Sequence, residues 1–76
     1  MEQLQWLTQC GRPWAESRAR IALEITEQHE LGQISAEEYA ELMMDIIRSD
    51  QLDAEADDLD TKSFLVMAVM GAAKIV

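Results

Sequence analysis

Hydrophobic side chains recur at helical spacing along most of this chain. The clearest stripe follows positions i, i+3, i+4, i+7 and i+8, and its members are Tyr39, Leu42, Met43, Ile46 and Ile47. This spacing places them on one face of a helix, which we predict over about 36–48. Ser35 and Glu38 form a capping box at the start of this helix. Ile34 precedes the cap as a hydrophobic staple, so the start of the helix is the best-defined point in the sequence.

Glycine and proline divide the preceding residues into two segments. The break at Gly11–Pro13 separates a first helix, over about 2–10, from a second helix over about 13–30. Proline favours this assignment because its missing N–H is not needed at the first position of a helix. The first segment has an alternative as an extended arm whose Trp6 docks on the body. Gly32 ends the second helix, and the short connection predicts an antiparallel hairpin with the third.

The last part of the chain predicts a fourth helix, over about 50–74, with an alternative break near Asp60 and Thr61. Its final stretch, residues 64–76, is apolar on every side apart from Lys74. A helix of this kind must be buried, in a core or against another chain. It is too short to span a bilayer, which needs about twenty apolar residues. We therefore predict a core or oligomer seam formed by Leu65, Ala68, Val69, Ala72 and Val76.

These elements predict one all-α domain over residues 1–76, a small bundle of three to four helices with a helical hairpin and a long C-terminal helix. A chain of 76 residues buries a small core, and such chains usually need a disulfide, a metal or oligomerisation. Cys10 is the only cysteine, so an internal disulfide is excluded. We therefore expect a homo-oligomer.

Residues 30–39, Glu-Leu-Gly-Gln-Ile-Ser-Ala-Glu-Glu-Tyr, resemble the short helical hairpin of the SHOCT domain. The pattern of that hairpin is roughly leucine, glycine, isoleucine, threonine, two acids and an aromatic residue. The resemblance implies a helical hairpin here and an oligomerising role. The chain departs from that family because it continues well past the hairpin.

Negative charge is concentrated in the middle of the chain. The formal net charge is −9, and residues 24–60 hold thirteen acids and one arginine, a net charge of −12. Such a surface repels nucleic acid and anionic lipid and attracts basic protein surfaces. We therefore expect a protein partner of unknown identity, with no direct nucleic-acid binding and no membrane binding.

Tryptophan and arginine are concentrated in the first twenty residues, as Trp6, Arg12, Trp14, Arg18 and Arg20. Both residue types are enriched in protein interfaces. Three interpretations stay open: a protein-contact patch, pairing of the arginines with acids of another copy, or aromatic packing in the core. With the acids of the later segment, the candidate partner-binding residues are Trp6, Trp14, Arg18, Asp53, Asp57 and Asp58.

Catalytic and metal chemistry find little support in the sequence. The acidic segment 50–60 has no glycine at the sixth position of any calcium-binding loop register. His29 and Cys10 have no partners for nucleophilic catalysis. We therefore expect no enzyme, no catalytic residue, no cofactor and no metal site.

The function that the sequence favours is a small acidic non-enzymatic protein-binding factor, such as a regulator, inhibitor or assembly chaperone, acting as an oligomer. The alternative is a DNA mimic that blocks a nucleic-acid-binding enzyme or nucleoid protein, because acids on helices can approach the charge density of duplex DNA. Structural self-assembly is a third class. The free thiol and the acidic N-terminus favour a cytoplasmic location, and the size and acidity suggest a phage or mobile-element origin.

Overall fold

The structure, a computed structural model, describes residues 2–48 and 50–74. It consists of α1 (Glu2–Leu7), α2 (Pro13–Glu30), α3 (Ala36–Ile47), α4 (Asp50–Glu55) and α5 (Leu59–Lys74). The described residues outside these helices form turns and short connections, and none of them is in a strand. The predicted all-α fold class is confirmed. Among these helices, none combines the length and the apolar character needed to cross a membrane.

The turn between α2 and α3 follows the predicted signals. Gly32 has φ +76°, a conformation that glycine adopts without steric cost. Its N–H donates to the carbonyl of His29, and the N–H of Gln33 donates to the carbonyl of Gln28. These two bonds form a Schellman motif, which satisfies the last carbonyls of α2. The side chain of Ser35 then accepts a hydrogen bond from the N–H of Glu38, so the predicted N-cap is present.

The first helix is shorter than predicted, because α1 ends at Leu7 rather than near residue 10. The hydroxyl of Thr8 donates to the carbonyl of Gln5 at 2.6 Å. Residues 8–10 form a turn with hydrogen bonds to carbonyls three positions back. Local side-chain bonds of this kind compete with the helical pattern. The first segment is therefore helical, as predicted, but its helix ends at Leu7 and not near residue 10.

The predicted long C-terminal helix is present as α5, but it is not continuous over about 50–74, because residues 56–58 separate α4 from α5. Asp58 is the N-cap of α5: its carboxylate accepts hydrogen bonds from the N–H of Thr61 at 3.0 Å and from the Thr61 hydroxyl. Aspartate is among the preferred N-cap residues, since it satisfies a free N–H of the first turn. The break therefore lies two residues before the alternative position near Asp60.

Helices α2, α3 and α5 pack together, and α1 packs against α2 and α5. The largest fully buried side chains of the core come from α1, α3, α4 and α5, whereas α2 contributes mainly small alanines. Small side chains on α2 let the neighbouring helices approach it closely. The largest buried side chains are Tyr39, Leu4, Leu7, Met43, Leu52, Leu65 and Val69.

A buried polar contact joins three helices at the centre of this core. Tyr39 on α3 is 1% exposed, and its hydroxyl lies 3.1 Å from Oγ1 of Thr26 on α2 and 3.4 Å from the carbonyl of Ala72 on α5. The Thr26 hydroxyl donates to the carbonyl of Ala22 at 2.8 Å. The single proton of Tyr39 is therefore available for Thr26 or for Ala72. His29 stacks on the Tyr39 ring with centroids 4.6 Å apart, which covers this contact from the α2 side.

We expect Tyr39→Phe to lower the free energy of unfolding by about 1 to 2 kcal/mol, because a buried carbonyl at the end of α5 loses its donor. Urea unfolding followed by circular dichroism measures this change. The slope of the unfolding free energy against urea concentration should be unaltered, since the fold is retained. A loss below about 0.5 kcal/mol would show that the hydroxyl does not hold the three helices together.

Candidate functional site

The connection between α4 and α5 is held by the start of α2. Asp57 Oδ1 accepts a hydrogen bond from Trp14 Nε1 at 3.0 Å and another from Arg12 Nη1 at 2.8 Å. Arg12 Nε also lies 3.6 Å from Asp58 Oδ2. We call these four residues, Arg12, Trp14, Asp57 and Asp58, the polar cluster. It joins two parts of the chain that lie more than forty positions apart.

Local structure at Gly11–Pro13 positions the two donors of the polar cluster. Gly11 has φ +89°, and its N–H donates to the Glu16 carboxylate at 2.8 Å. Arg12 is the N-cap of α2 with extended backbone, and its side chain makes no cap hydrogen bond. Its guanidinium is therefore available for the two aspartates. Trp14 is in the first turn of α2 and is buried, so its indole N–H has a fixed direction.

Both aspartates of the polar cluster have lowered pKa values. For Asp57, the hydrogen bond from Trp14 is the largest cause, partial loss of solvation opposes it, and the charge of Arg12 lowers the pKa further. For Asp58, the hydrogen bonds from Thr61 lower the pKa, and Arg12 adds to this effect. Each cause favours the carboxylate over the neutral acid. The polar cluster therefore has its full set of contacts only when both aspartates are ionised.

A second pair lies beside the polar cluster. Arg18 Nη2 is 3.1 Å from Glu55 Oε1, and Arg18 Nη1 donates to the carbonyl of Trp14 at 3.1 Å. The Arg18 side chain is 12% exposed, so most of its aliphatic part is covered. This pair attaches the end of α4 to α2. On the other side of the connection, Lys62 Nζ of α5 is 2.5 Å from Asp53 Oδ1 of α4.

An open groove lies between α2, α3 and α4, next to the Arg18–Glu55 pair. It has a volume of about 380 Å³. Trp14 and Ile46 are its buried part, whereas Ile21 is 45% exposed within it. We call this surface the α2–α4 groove, and it is lined by Pro13, Trp14, Ser17, Arg18, Ile21, Asp45, Ile46 and Glu55. Its composition is an apolar floor with charged edges.

The structure brings four of the six predicted partner-binding residues together. Trp14, Arg18, Asp57 and Asp58 lie around the polar cluster and the α2–α4 groove. Asp53 lies across the connection with Lys62, and Trp6 lies elsewhere, against Phe64. Arg12 and Arg18 pair with acids of the same chain, namely Asp57, Asp58 and Glu55. A role of these six residues in partner binding stays a prediction.

The predicted core or oligomer seam lies inside this chain. Its described members are 6% exposed or less: Leu65, Ala68, Val69 and Ala72. Val76 lies outside the described residues. The opposite side of α5 is open, with Leu59 77% exposed and Met67 72% exposed. An oligomer would therefore use the outer side of α5 rather than the predicted seam.

The six candidate residues did not include Arg12, which the sequence had placed in the tryptophan and arginine group, and sequence reasoning missed Ile21, Asp45 and Glu55 of the groove. The contact of Arg12 with Asp57 spans 45 positions, and that of Arg18 with Glu55 spans 37. Periodicity reports only neighbours within a few turns. One local signal was present for the connection, because Asp58 is a preferred N-cap residue and lies six positions before the apolar run that begins at Phe64.

Comparison with known proteins gives no relative: no family model, no curated protein and no solved structure matches the chain. The resemblance of residues 30–39 to the SHOCT hairpin therefore stays a local prediction. Among residues 2–48 and 50–74, no three histidine, cysteine or acidic side chains form a group that could hold a metal ion.

The lowered pKa of Asp57 predicts acid-sensitive stability with a defined sign. The pKa is lower in the folded chain than the ordinary value of 3.8, so the folded state binds fewer protons than the unfolded state. The stabilisation is complete above pH 3.8 and is lost as the pH falls through the folded-state pKa. We expect Asp57→Asn to be less stable than the wild type at neutral pH and to lose less stability below pH 3.8.

Urea midpoints measured by circular dichroism across this pH range check the prediction. Asp53→Asn is the matched control, because Asp53 is also exposed and paired with a cation. The control should keep the wild-type decline in acid. An Asp57→Asn variant with the same decline as the wild type would show that the polar cluster does not stabilise the fold.

Proposed function

We propose that this protein is a small, acidic, non-enzymatic protein-binding factor, and that its partner binds in the α2–α4 groove. The observation that carries the proposal is the exposed Ile21 in a groove that Asp45 and Glu55 also line. An exposed apolar side chain next to a buried tryptophan is typical of a protein-contact site, where aromatic anchors line a pocket.

The size and shape of the α2–α4 groove favour a protein side chain over a small ligand. Its volume of about 380 Å³ is at the low end of the range for ligand pockets. It is open along its length, so it would leave much of a free small molecule in water. One or two side chains of a partner, inserted between Ile21 and Ile46, would fill it and bring a larger surface into contact.

The negative charge of the groove requires a basic residue in the partner. Asp45 and Glu55 lie at the edges of the groove, and the whole chain has a net charge of −9. The guanidinium of Arg18 neutralises Glu55 in part, whereas Asp45 is exposed. A partner with a basic residue beside an apolar one would pair with Asp45 while its apolar group contacts Ile21. Such association is accelerated by electrostatic attraction and weakened by salt.

The DNA-mimic alternative receives less support from the same contacts. A mimic needs free carboxylates at regular spacing, whereas four acids of the segment are paired with cations of the chain itself: Asp53, Glu55, Asp57 and Asp58. These pairs lower the density of free negative charge on α4 and on the connection that follows it. Structural self-assembly concerns a different surface, the outer side of α5.

We expect Ile21→Ala to weaken partner binding about tenfold, which corresponds to about 1.4 kcal/mol, because the partner loses its apolar contact in the groove. The matched control is Leu31→Ala, which truncates a side chain that is 65% exposed in the α2–α3 turn. Affinity purification from the native host with quantitative mass spectrometry compares the wild type and both variants.

The partner should be recovered equally by the wild type and the Leu31→Ala control, and less by Ile21→Ala. Asp45→Asn should also reduce recovery, most strongly at low salt. A partner recovered equally by all variants would contradict binding in the groove. If that partner is instead lost when Asp53, Asp57 and Asp58 are neutralised in folded protein, the DNA-mimic alternative would be supported.

A further inference from the structure

The outer side of α5 is an apolar surface that this chain does not cover. Leu59 is 77% exposed, Met67 is 72% exposed and Phe64 is 39% exposed, although all three are large apolar residues. They lie on the side of the helix opposite the buried Leu65 and Val69. Leu59 and Met67 also line one shallow depression of about 350 Å³. Lys62, Ser63 and Val66 complete the lining of this depression. Large exposed apolar side chains grouped on one side of a helix mark an interaction site more often than single exposed residues do.

Trp6 extends this surface onto α1. Its ring packs edge-on against Phe64, with centroids 5.3 Å apart and an interplanar angle of 64°. The Trp6 side chain is still 56% exposed, so this contact covers only part of it. We call Trp6, Leu59, Phe64 and Met67 the outer apolar face. It is separate from the α2–α4 groove, whose lining comes from α2, α3 and α4.

We infer that the outer apolar face binds a second copy of this chain, with the two α5 helices antiparallel about a twofold axis near Met67. A twofold arrangement places each residue before Met67 opposite the residue equally far beyond it in the other copy. Ser63 then meets Gly71 of the other copy, and Phe64 meets Met70. The pairs are therefore small with small and large apolar with large apolar, which suits two closely packed helices.

Gly71 supports this register independently. It is exposed, and a Cβ added there would meet nothing within 4 Å in this chain. The position is open toward the outside, so the small residue leaves room for an approaching helix. Ser63, the residue that the twofold axis brings opposite it, is also exposed. Two small residues on either side of Met67 make space for the Met67 side chains of both copies.

The charges at the ends of α5 select the antiparallel orientation. Asp60 is in the first turn of the helix, and Lys74 is its last residue. Antiparallel pairing brings the acidic end of one copy to the basic end of the other, and the helix dipoles are opposed. Parallel pairing would bring like ends together. The second copy is therefore complementary to this face in size and in charge.

The net charge of the chain and the size of the outer apolar face determine how the dimer should respond to salt and to protein concentration. Two copies that each carry a charge of −9 repel, so salt should strengthen the dimer by screening that repulsion. A basic partner would show the opposite dependence. One 16-residue helix is about 24 Å long and offers less than the roughly 800 Å² per partner of a standard interface. We therefore expect a reversible dimer.

Sedimentation equilibrium of the pure full chain tests the inference. The average mass should rise with concentration from 8.6 kDa toward twice that value, and the rise should begin at lower concentration in higher salt. Met67→Asp should keep the helical circular dichroism spectrum and remain a monomer, because two carboxylates would meet at the axis. Leu31→Asp is the control, since Leu31 is equally exposed but distant in sequence from the face, and it should still dimerise.

A charge exchange tests the antiparallel geometry. Asp60→Lys should weaken dimerisation about tenfold by placing two cations at each end, and Asp60→Lys combined with Lys74→Asp should restore it. A monomer at all concentrations, a Met67→Asp dimer, or an Asp60→Lys variant that dimerises like the wild type would overturn the inference. The result is independent of the groove, because Ile21→Ala should dimerise normally.

If the wild type is a monomer and the Met67→Asp variant no longer binds a different protein, the outer apolar face is the binding site of that protein. This result would also overturn the inference that the face binds a second copy. That outcome would leave binding in the α2–α4 groove to be decided by the Ile21→Ala comparison alone.

Discussion

The fold depends on the hydrogen bonds that Asp57 accepts from Trp14 and Arg12. Asp57 lies in the connection between α4 and α5, and its two donors lie at the start of α2. The pairs of Arg18 with Glu55 and of Lys62 with Asp53 hold the same connection on either side. With these contacts, α4 buries Leu52, and α5 begins at the cap provided by Asp58. The contacts of Asp57 and Asp58 with the start of α2 therefore act together with the buried side of α5 in placing the most apolar helix.

That helix has two sides with different roles. Its inner side packs on α3, where the Tyr39 hydroxyl lies against the carbonyl of Ala72 and so specifies the depth at which α5 sits. Met67 on the outer side of α5 is exposed, because the other four helices are too small to surround α5. A chain of this length has too little surface to cover such a helix completely. The uncovered side of α5 and the α2–α4 groove both result from the small size of the bundle, and they are formed by different helices.

The sequence predicted those features that depend on neighbouring residues. Gly32, Ser35 and Glu38 act within a few positions of one another, so the turn between α2 and α3 could be predicted in detail. The break before α5 could not be placed from periodicity, since its apolar spacing continues through it and the partners of Asp57 lie on α2. The seam residues Leu65, Ala68, Val69 and Ala72 lie on the inner side of α5, whereas periodicity did not indicate that the outer side stays uncovered, because apolar residues occupy both sides. The groove needed Glu55 and Arg18 in contact, which local patterns do not report.

The polar cluster holds a break between α4 and α5. Carbon-13 secondary chemical shifts along residues 50–74 test it most directly, because they report helical backbone at each position. We expect helical shifts for α4 and α5 and non-helical shifts at residues 56–58. The interruption should disappear in variants in which Trp14 and Arg12 can no longer donate to Asp57. Uninterrupted helical shifts from 50 to 74 in the wild-type protein would contradict the break between α4 and α5.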